Sequence, residues 1–306
     1  INGIPAATLF PSVKMMNEDG NGAVFVAINK EGGNGNYFYT TEYKKEANSA
    51  KFAAVGELMK KIGPMRKRWS QLILNFDPAD PKSIGALILE LSYAFASRIG
   101  SPTNTSSQGL STIRLRNVKI MPNGAIRIRY KGKDQVPTQH DILPPTQGTV
   151  LERAVAKAFK ALLSDDKEGA DYVFSVMMKN GRYKVIQPTY VNALFKAFGA
   201  PQGATVHKLR TRFMQDELNE LYQTKQRFND VKTFEATIEK LAIAVGKQLN
   251  HVRRTKDGGS SATGSTALAN YIDPTIILQA YEHYGIPIPR WLEKITTAAL
   301  ANVTED

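Results

Sequence analysis

The sequence predicts an α+β protein that is mainly helical. We expect a large helical domain containing a small three-stranded antiparallel sheet, and a small β-containing domain before it. Helical periodicity dominates from residue 48 onward, and three strand-like segments joined by short turns occupy residues 111–143. Two further strand-like runs lie in a stretch before residue 45 that is rich in Gly and Asn. We therefore place the domains at residues 1–45 and 46–306.

The first domain is expected to hold a β-hairpin. Its strands are AVFVAIN (23–29) and NYFYTTE (36–42), joined by EGGNGN. These glycines match neither the dinucleotide-binding nor the Walker spacing, and no long helix follows them directly. The loop is therefore not interpreted as a phosphate-binding loop.

The segment after Asn48 has the periodicity of an amphipathic helix, and Gly63-Pro64 is expected to break it into two helices. Its second part carries cations with no acid among them. These are either a solvated face or contacts to a nucleic-acid backbone. The candidate contacts are Arg66, Lys67 and Arg68.

The next helix, predicted over 84–100, is rich in apolar residues and is expected to be buried in the core, with Asp80 or Ser83 as its N-cap. Arg98 lies at its end. The three strands that follow are predicted over 111–120, 125–132 and 135–143.

Alternation along IRIRY puts Arg127 and Arg129 on one face of the predicted sheet, as further candidate backbone contacts. After Pro145 the chain is expected to be almost wholly helical, apart from a flexible-looking loop at 255–266. The helices are predicted at 147–163, 188–198, 205–222, 230–251, 274–284 and 289–301.

Composition favours a nucleic-acid partner. The chain has 40 Lys and Arg against 28 Asp and Glu, which gives a net charge of +12. It has no cysteine and only four histidines, none of them spaced as a local pair, so we expect neither disulfides nor a metal site, and no cofactor. No apolar run is long enough to span a bilayer and no signal peptide is evident, so an intracellular protein without a membrane partner is expected. The first residue is Ile1, which indicates a processed product or a segment of a longer protein.

One set of residues fits phosphoryl transfer. In-line cleavage of a phosphodiester needs a nucleophile, cationic donors for the non-bridging oxygens, and an acid for the leaving oxygen. Tyr271, in GSTALANYIDPTI, is the candidate nucleophile. Arg98, Arg210 and His251 can form a phosphate clamp, because a guanidinium holds two phosphate oxygens at once. Lys133, at the tip of a predicted β-turn, can reach a leaving oxygen.

These segments resemble the type IB DNA topoisomerases. The similar motifs are the tyrosine segment through GIPI, the hairpin IRIRYKGKDQV, and HKLRTRF, AVGKQLNH and SRIG, in collinear order. The resemblance implies that Tyr271 forms a 3′-phosphotyrosyl link, that Arg98, Arg210 and His251 bind the scissile phosphate, and that Lys133 protonates the 5′-hydroxyl. It further implies a monomer that acts on duplex DNA and is located with that DNA, in a nucleoid, a nucleus or a virion. The implied activity is relaxation of supercoils by strand rotation, without ATP or an obligatory metal.

One position departs from the family pattern. His207 stands where this family tends to have lysine, with Lys208 displaced by one position, and both are candidate DNA contacts.

Two alternatives stay open. His207-Lys-Leu-Arg210 also fits the His-x-x-Arg of tyrosine recombinases, which are similar in mechanism and fold. The other alternative is a non-catalytic protein that binds duplex DNA.

Overall fold

The computed structural model describes a large part of the chain, and the chain divides into two compact units. The described residues are 12–15, 23–28, 36–39, 41–102, 107–132, 135–164, 171–223, 228, 230–249, 252–254, 260–262 and 274–288. One unit consists of Ile1–Ala53 and Arg290–Asp306, and the other of Ala54–Pro289. A boundary at residue 45 stays a prediction.

The described part of the smaller unit contains a three-stranded antiparallel sheet. Its strands are β1 (Ser12–Met15), β2 (Ala23–Ile28) and β3 (Asn36–Tyr39), in that order across the sheet. The pairing of β2 with β3 confirms the predicted hairpin. β1 was not anticipated from the sequence.

Helix α1 is a single element, Thr41–Leu74, with Pro64 inside it. The prediction that Gly63-Pro64 would divide it was wrong. Gly63 and Pro64 are exposed, while one apolar stripe continues past them on the opposite side. An internal proline costs roughly 3 kcal/mol, which burial of large side chains on one continuous stripe can offset. The buried stripe consists of Val55, Leu58, Met65, Trp69 and Ile73.

Helix α2, Pro81–Phe95, is the centre of the larger unit. Asp80 caps it by accepting from the backbone N–H groups of Lys82 and Ser83, as predicted. Every residue from Ser83 to Ser92 is buried, because neighbouring elements cover the helix on all sides. The helix ends earlier than predicted, since Ala96 adopts a left-handed conformation at φ 49°. Arg98 therefore lies beyond the helix, not in its last turn.

The predicted meander is confirmed as strands β4 (Val118–Ile120), β5 (Ile126–Lys131) and β6 (Pro137–Ile142). Ile128 faces His140 across β5 and β6. The first predicted strand was too long, because Leu110–Thr112 and Leu115–Asn117 form 3₁₀ turns instead. The Asn117 side chain accepts from the Arg114 N–H at 3.0 Å and closes the second turn.

Five more helices follow in the part of the chain that the structure describes. They are α3 (Val150–Ser164), α4 (Pro188–Ala197), α5 (Lys208–Gln223), α6 (Val231–Gln248) and α7 (Pro274–His283). None of the helices described is long and apolar enough to cross a membrane. The helix predicted over 289–301 lies outside the described residues.

Among the residues described after Pro145, two hairpins interrupt the region expected to be helix and loop. The first pairs β7 (Ser175–Met177) with β8 (Tyr183–Val185), and the second pairs β9 (Val252–Arg254) with β10 (Ser260–Ala262). The expectation of an almost wholly helical C-terminal half was therefore wrong at these positions. Likewise, the predicted loop at 255–266 contains a strand.

Candidate active site

Among the predicted site residues that the structure describes, Arg210 is the most deeply buried, with 2% of its surface exposed. Its Nη1 donates to the Ala96 carbonyl and its Nη2 to the Leu249 carbonyl, each at 2.6 Å. Ala96 is the C-cap of α2 and Leu249 directly follows α6, so both acceptors lie at negative helix ends. A buried guanidinium needs such acceptors. These two bonds join α5 to the ends of α2 and α6.

The turn before α5 sets where Arg210 enters this cluster. Asn192, on α4, accepts from the Val206 N–H through its Oδ1 at 3.0 Å. The Arg210 N–H then bonds to the His207 carbonyl at 3.1 Å. The first turn of α5 is therefore anchored to α4, and Arg210 points inward from it.

The segment that carries Arg98 is held by main-chain bonds. The Arg98 carbonyl accepts from the Leu110 N–H at 2.8 Å, and the Ile99 carbonyl accepts from the Ser111 N–H at 2.7 Å. Gly100 and Gly109 then approach backbone to backbone. A Cβ at Gly109 would lie 2.4 Å from the Gly100 nitrogen, so no larger residue fits there. Glycine at both positions lets the chain return closely past Arg98.

Arg98 and His207 line one cavity of about 440 Å³. Gln108 lines it as well, and also lines a neighbouring cavity of about 660 Å³. Cations are prominent in the walls of the second cavity, which suits an anionic ligand. They are Arg114, Arg116, Arg129 and Lys131.

Arg66, Lys67 and Arg68, which were predicted to contact a nucleic-acid backbone, differ in their contacts within the protein. Arg66 pairs with the buried Glu90, with Nη2 to Oε1 at 2.6 Å, and Arg68 donates to the Phe198 carbonyl at 2.9 Å. Lys67 is exposed. Arg66 and Arg68 therefore already have protein partners.

The two cations on β5 also contact protein groups. Arg127 makes two bonds to Asp141, at 2.8 and 2.9 Å, and this guanidinium lowers the pKa of the Asp141 carboxyl. Arg129 donates to the Gln139 side chain at 2.7 Å. Gln139 is neutral, so this bond is not an ion pair, and Arg129 lines the cavity wall.

His207 and Lys208, where the sequence departs from the family pattern, differ in their exposure. His207 is exposed, while Lys208 is partly buried, and burial lowers the pKa of its ammonium group. The structure thus brings Arg98, Arg210 and His207 into one region. Lys133, His251 and Tyr271 lie outside the described residues. In the chain, Lys133 falls between β5 and β6, His251 two residues after Leu249, and Tyr271 three residues before α7.

Some described tyrosines are poor nucleophiles. Burial and the neighbouring Glu235 raise the pKa of Tyr281 to about 12, and burial also raises the pKa of Tyr130 and of Tyr190. A raised pKa reduces the fraction of phenolate at neutral pH. These surroundings are the opposite of what activates a tyrosine.

The sequence analysis missed a buried polar cluster beside Arg210. It contains Ser97, Tyr130 and His140, each at most 7% exposed. The period-two alternation that turned Tyr130 inward continues in β6 through Thr138 and His140. Extended to β6, that pattern signals a buried histidine.

A mainly helical fold with arginines and a lysine lining its cavity fits a protein that binds a polyanion. The family model for the catalytic core of eukaryotic DNA topoisomerase I matches residues 40–269, and the chain belongs to this family. The matched region contains Arg98, Lys133, Arg210 and His251 and ends just before Tyr271. The comparison with curated proteins found no match. Membership in this family implies binding of duplex DNA.

Proposed function

We propose that this topoisomerase relaxes supercoiled duplex DNA by cutting and rejoining one strand through Tyr271. The Tyr271 Oη, after losing its proton to solvent, attacks the scissile phosphorus and forms a 3′-phosphotyrosyl link. The bond from phosphorus to the 5′ oxygen breaks, and Lys133 gives that oxygen a proton. Rotation of the cut strand and reversal of these steps restore the duplex.

The observation that carries the proposal is the placement of Arg210. Its two carbonyl partners belong to the segments that lead to Arg98 and to His251. Arg98, Arg210 and His251 are three of the four residues predicted to bind the phosphate or to act as the acid. Arg210 supplies the guanidinium, and each of the other two follows one of its carbonyl partners by two residues in the chain. Guanidinium groups fixed before the reaction stabilise the charge on the non-bridging oxygens without reorganising, which is the main source of catalysis in this class of reaction.

The basic cavity walls support a duplex partner. Arg129 and Lys131 lie on β5, which leads to Lys133, and Arg114 and Arg116 lie at the second 3₁₀ turn; all four line the cavity beside the Arg98 loop. We assign them, together with Arg66, Lys67, Arg68, Arg127, His207 and Lys208, to contacts with the DNA backbone. Contacts of this kind give affinity with little base preference and a strong dependence on salt.

Plasmid relaxation without ATP and with EDTA tests the proposal. Wild-type protein should relax the plasmid and leave protein on the 3′ end of the nick when the reaction is stopped with denaturant. Tyr271→Phe should bind duplex DNA but neither relax it nor form the adduct. Tyr281→Phe, which also removes one phenolic hydroxyl, is the matched control and should relax DNA normally.

Other outcomes identify the alternatives. A covalent adduct confined to one DNA site, without relaxation, would favour the recombinase mechanism that His207-x-x-Arg210 also fits. Normal relaxation by Tyr271→Phe would show that another residue is the nucleophile.

A further inference from the structure

Three neutral side chains meet at the end of α2, directly beside the Arg210 carbonyl partner. Ser97 Oγ lies 2.7 Å from His140 Nε2, and Tyr130 Oη lies 3.3 Å from the same nitrogen. The Phe95 ring stacks on the His140 imidazole with centroids 4.5 Å apart and an angle of 11°. The cluster therefore ties the end of α2 to both β5 and β6.

The protonation states in the cluster follow from burial. Burial lowers the pKa of His140 to about 4 and raises the pKa of Tyr130, so both are neutral near pH 7. A neutral imidazole has one nitrogen that accepts a hydrogen bond. With Nε2 as that acceptor, the Ser97 hydroxyl donates to it, and the short distance indicates a well-formed bond.

Ala96, the residue before Ser97, has an unfavourable backbone. At φ 49° and ψ 31° it occupies the left-handed region, where a Cβ clashes with the following carbonyl. Ala96 is fully buried and its carbonyl accepts from Arg210. Such a conformation persists only where surrounding contacts enforce it. The Ser97 side chain, bonded to His140 on β6, fixes the residue that directly follows Ala96.

We propose that Ser97, held by His140 and Tyr130, is a positioning residue that keeps the Ala96 carbonyl directed at Arg210 and so orients the guanidinium toward the scissile phosphate. The claim that the guanidinium faces a scissile phosphate rests on the function proposed above. The claim that Ser97 orients Arg210 is independent of that function.

Single-turnover cleavage of duplex DNA at saturating protein is the kinetic test. Ser97→Ala should lower the rate constant at least tenfold while the Kd for the duplex changes less than twofold, because Arg210 is misdirected and not removed. The matched control is Ser175→Ala, a serine that is 2% exposed and donates to the Tyr172 carbonyl. It should cleave at the wild-type rate.

A second variant separates positioning from general destabilisation. Glycine adopts the left-handed conformation without the clash, so Ala96→Gly in the Ser97→Ala background should recover part of the lost rate. Because relief of the clash also favours folding, urea denaturation of both variants accompanies the rates: slow cleavage by Ser97→Ala with a wild-type free energy of unfolding assigns the defect to positioning. No recovery, or a wild-type rate in Ser97→Ala, would overturn the proposal.

The leaving group gives a further check. Replacing the 5′ bridging oxygen by sulfur removes the need for a proton from Lys133, because a thiolate leaves readily. The Ser97→Ala defect should persist on this substrate. Its disappearance would show that the cluster serves the acid and not Arg210.

An NMR measurement keeps the two proposals apart. The Nη hydrogens of Arg210, bonded to Ala96 and Leu249, should give signals that exchange slowly in wild-type protein and rapidly in Ser97→Ala. Failure of the wild-type protein to cut DNA would overturn the proposed function. Unchanged Arg210 signals in Ser97→Ala would overturn the proposed role of Ser97.

Discussion

Glu90 and Arg66 form a two-pronged ion pair that joins α2 to α1, with Arg66 Nη2 2.6 Å from Glu90 Oε1 and Arg66 Nε 3.1 Å from Oε2. Trp69 Nε1 also donates to Glu90 at 2.8 Å. The guanidinium carbon of Arg66 lies 4.4 Å from the centroid of the Tyr93 ring, and that of Arg212 lies 3.9 Å from it. One buried carboxylate thus supports a cationic cluster shared by α1, α2 and α5.

Removal of that carboxylate charge should destabilise the larger unit. Glu90→Gln leaves a half-buried Arg66 without its counter-charge, and we expect a loss of about 2 kcal/mol in the free energy of unfolding. Urea denaturation measures it. Glu57→Gln is the control, because Glu57 pairs with Lys60 on the surface and its loss should be undetectable. Equal stability of the two variants would contradict the structural role of Glu90.

Arg210→Lys should separate catalysis from binding. A lysine cannot span the Ala96 and Leu249 carbonyls with a planar fork, so in the proposed mechanism the transition state loses an oriented donor. We expect the cleavage rate constant to fall by about 100-fold or more, with little change in duplex affinity. Arg182→Lys, on an exposed turn, is the control. A strong loss of affinity with an unchanged rate constant would assign Arg210 to ground-state binding instead.

His140 should make the protein less stable in mild acid. Its pKa falls from 6.5 to about 4 on folding, so below pH 6.5 the unfolded chain binds the proton more tightly. Stability that is present above pH 6.5 is therefore lost as the pH falls toward 4. Between pH 7.5 and 5 this contributes about 2 kcal/mol. Urea denaturation at the two pH values should show a smaller difference in His140→Gln. An equal reduction of this difference in His283→Gln would contradict the assignment of the pH dependence to His140.

Gly85 should not tolerate a side chain. A Cβ there would lie 2.7 Å from Leu194 Cδ2 and 3.4 Å from Tyr190 Cε1, at the contact between α2 and α4. Gly85→Ala should therefore cost about 1–2 kcal/mol through overpacking. Gly56→Ala, in α1 with nothing within 4 Å of the new Cβ, should stabilise by about 0.5–1 kcal/mol. Thermal unfolding of both variants checks the prediction, and a stabilised Gly85→Ala would refute the close packing.

The cavity walls should contribute to DNA affinity. The double substitution of Arg116 and Arg129 by glutamine removes two cations beside the Arg98 loop. Plots of log K against log salt should become shallower by about 2 units of slope. The same substitution of Lys232 and Lys240, both exposed on α6, is matched in charge. Equal slopes for the two double variants would place the duplex elsewhere.

The elements with simple periodicity were predictable from sequence. Alternation in β5 and the capped apolar run of α2 depend on local pattern, and both are confirmed. The error at Pro64 arose because local chemistry favours a break, whereas the buried stripe around Trp69 favours continuity. The 3₁₀ turns depend on one side chain, Asn117, which no periodicity reveals.

The site was predictable only in its residue types. The carbonyls of Ala96 and Leu249 carry no sequence signal, since every residue has one. The His140 cluster depends on which strands face α2, and this is decided by tertiary packing. The pattern of cations and tyrosine could therefore suggest the chemistry, but not how Arg210 is oriented.

The two hydrogen bonds of Arg210 also determine the stage of chain synthesis at which this guanidinium can be fixed. One partner lies 114 residues earlier and the other 39 residues later. A chain still emerging from the ribosome, with α5 complete but Leu249 not yet made, can supply only the first of them. A product that ends before Leu249 should therefore hold Arg210 through the Ala96 carbonyl alone, so its guanidinium can be fixed only after synthesis has passed α6.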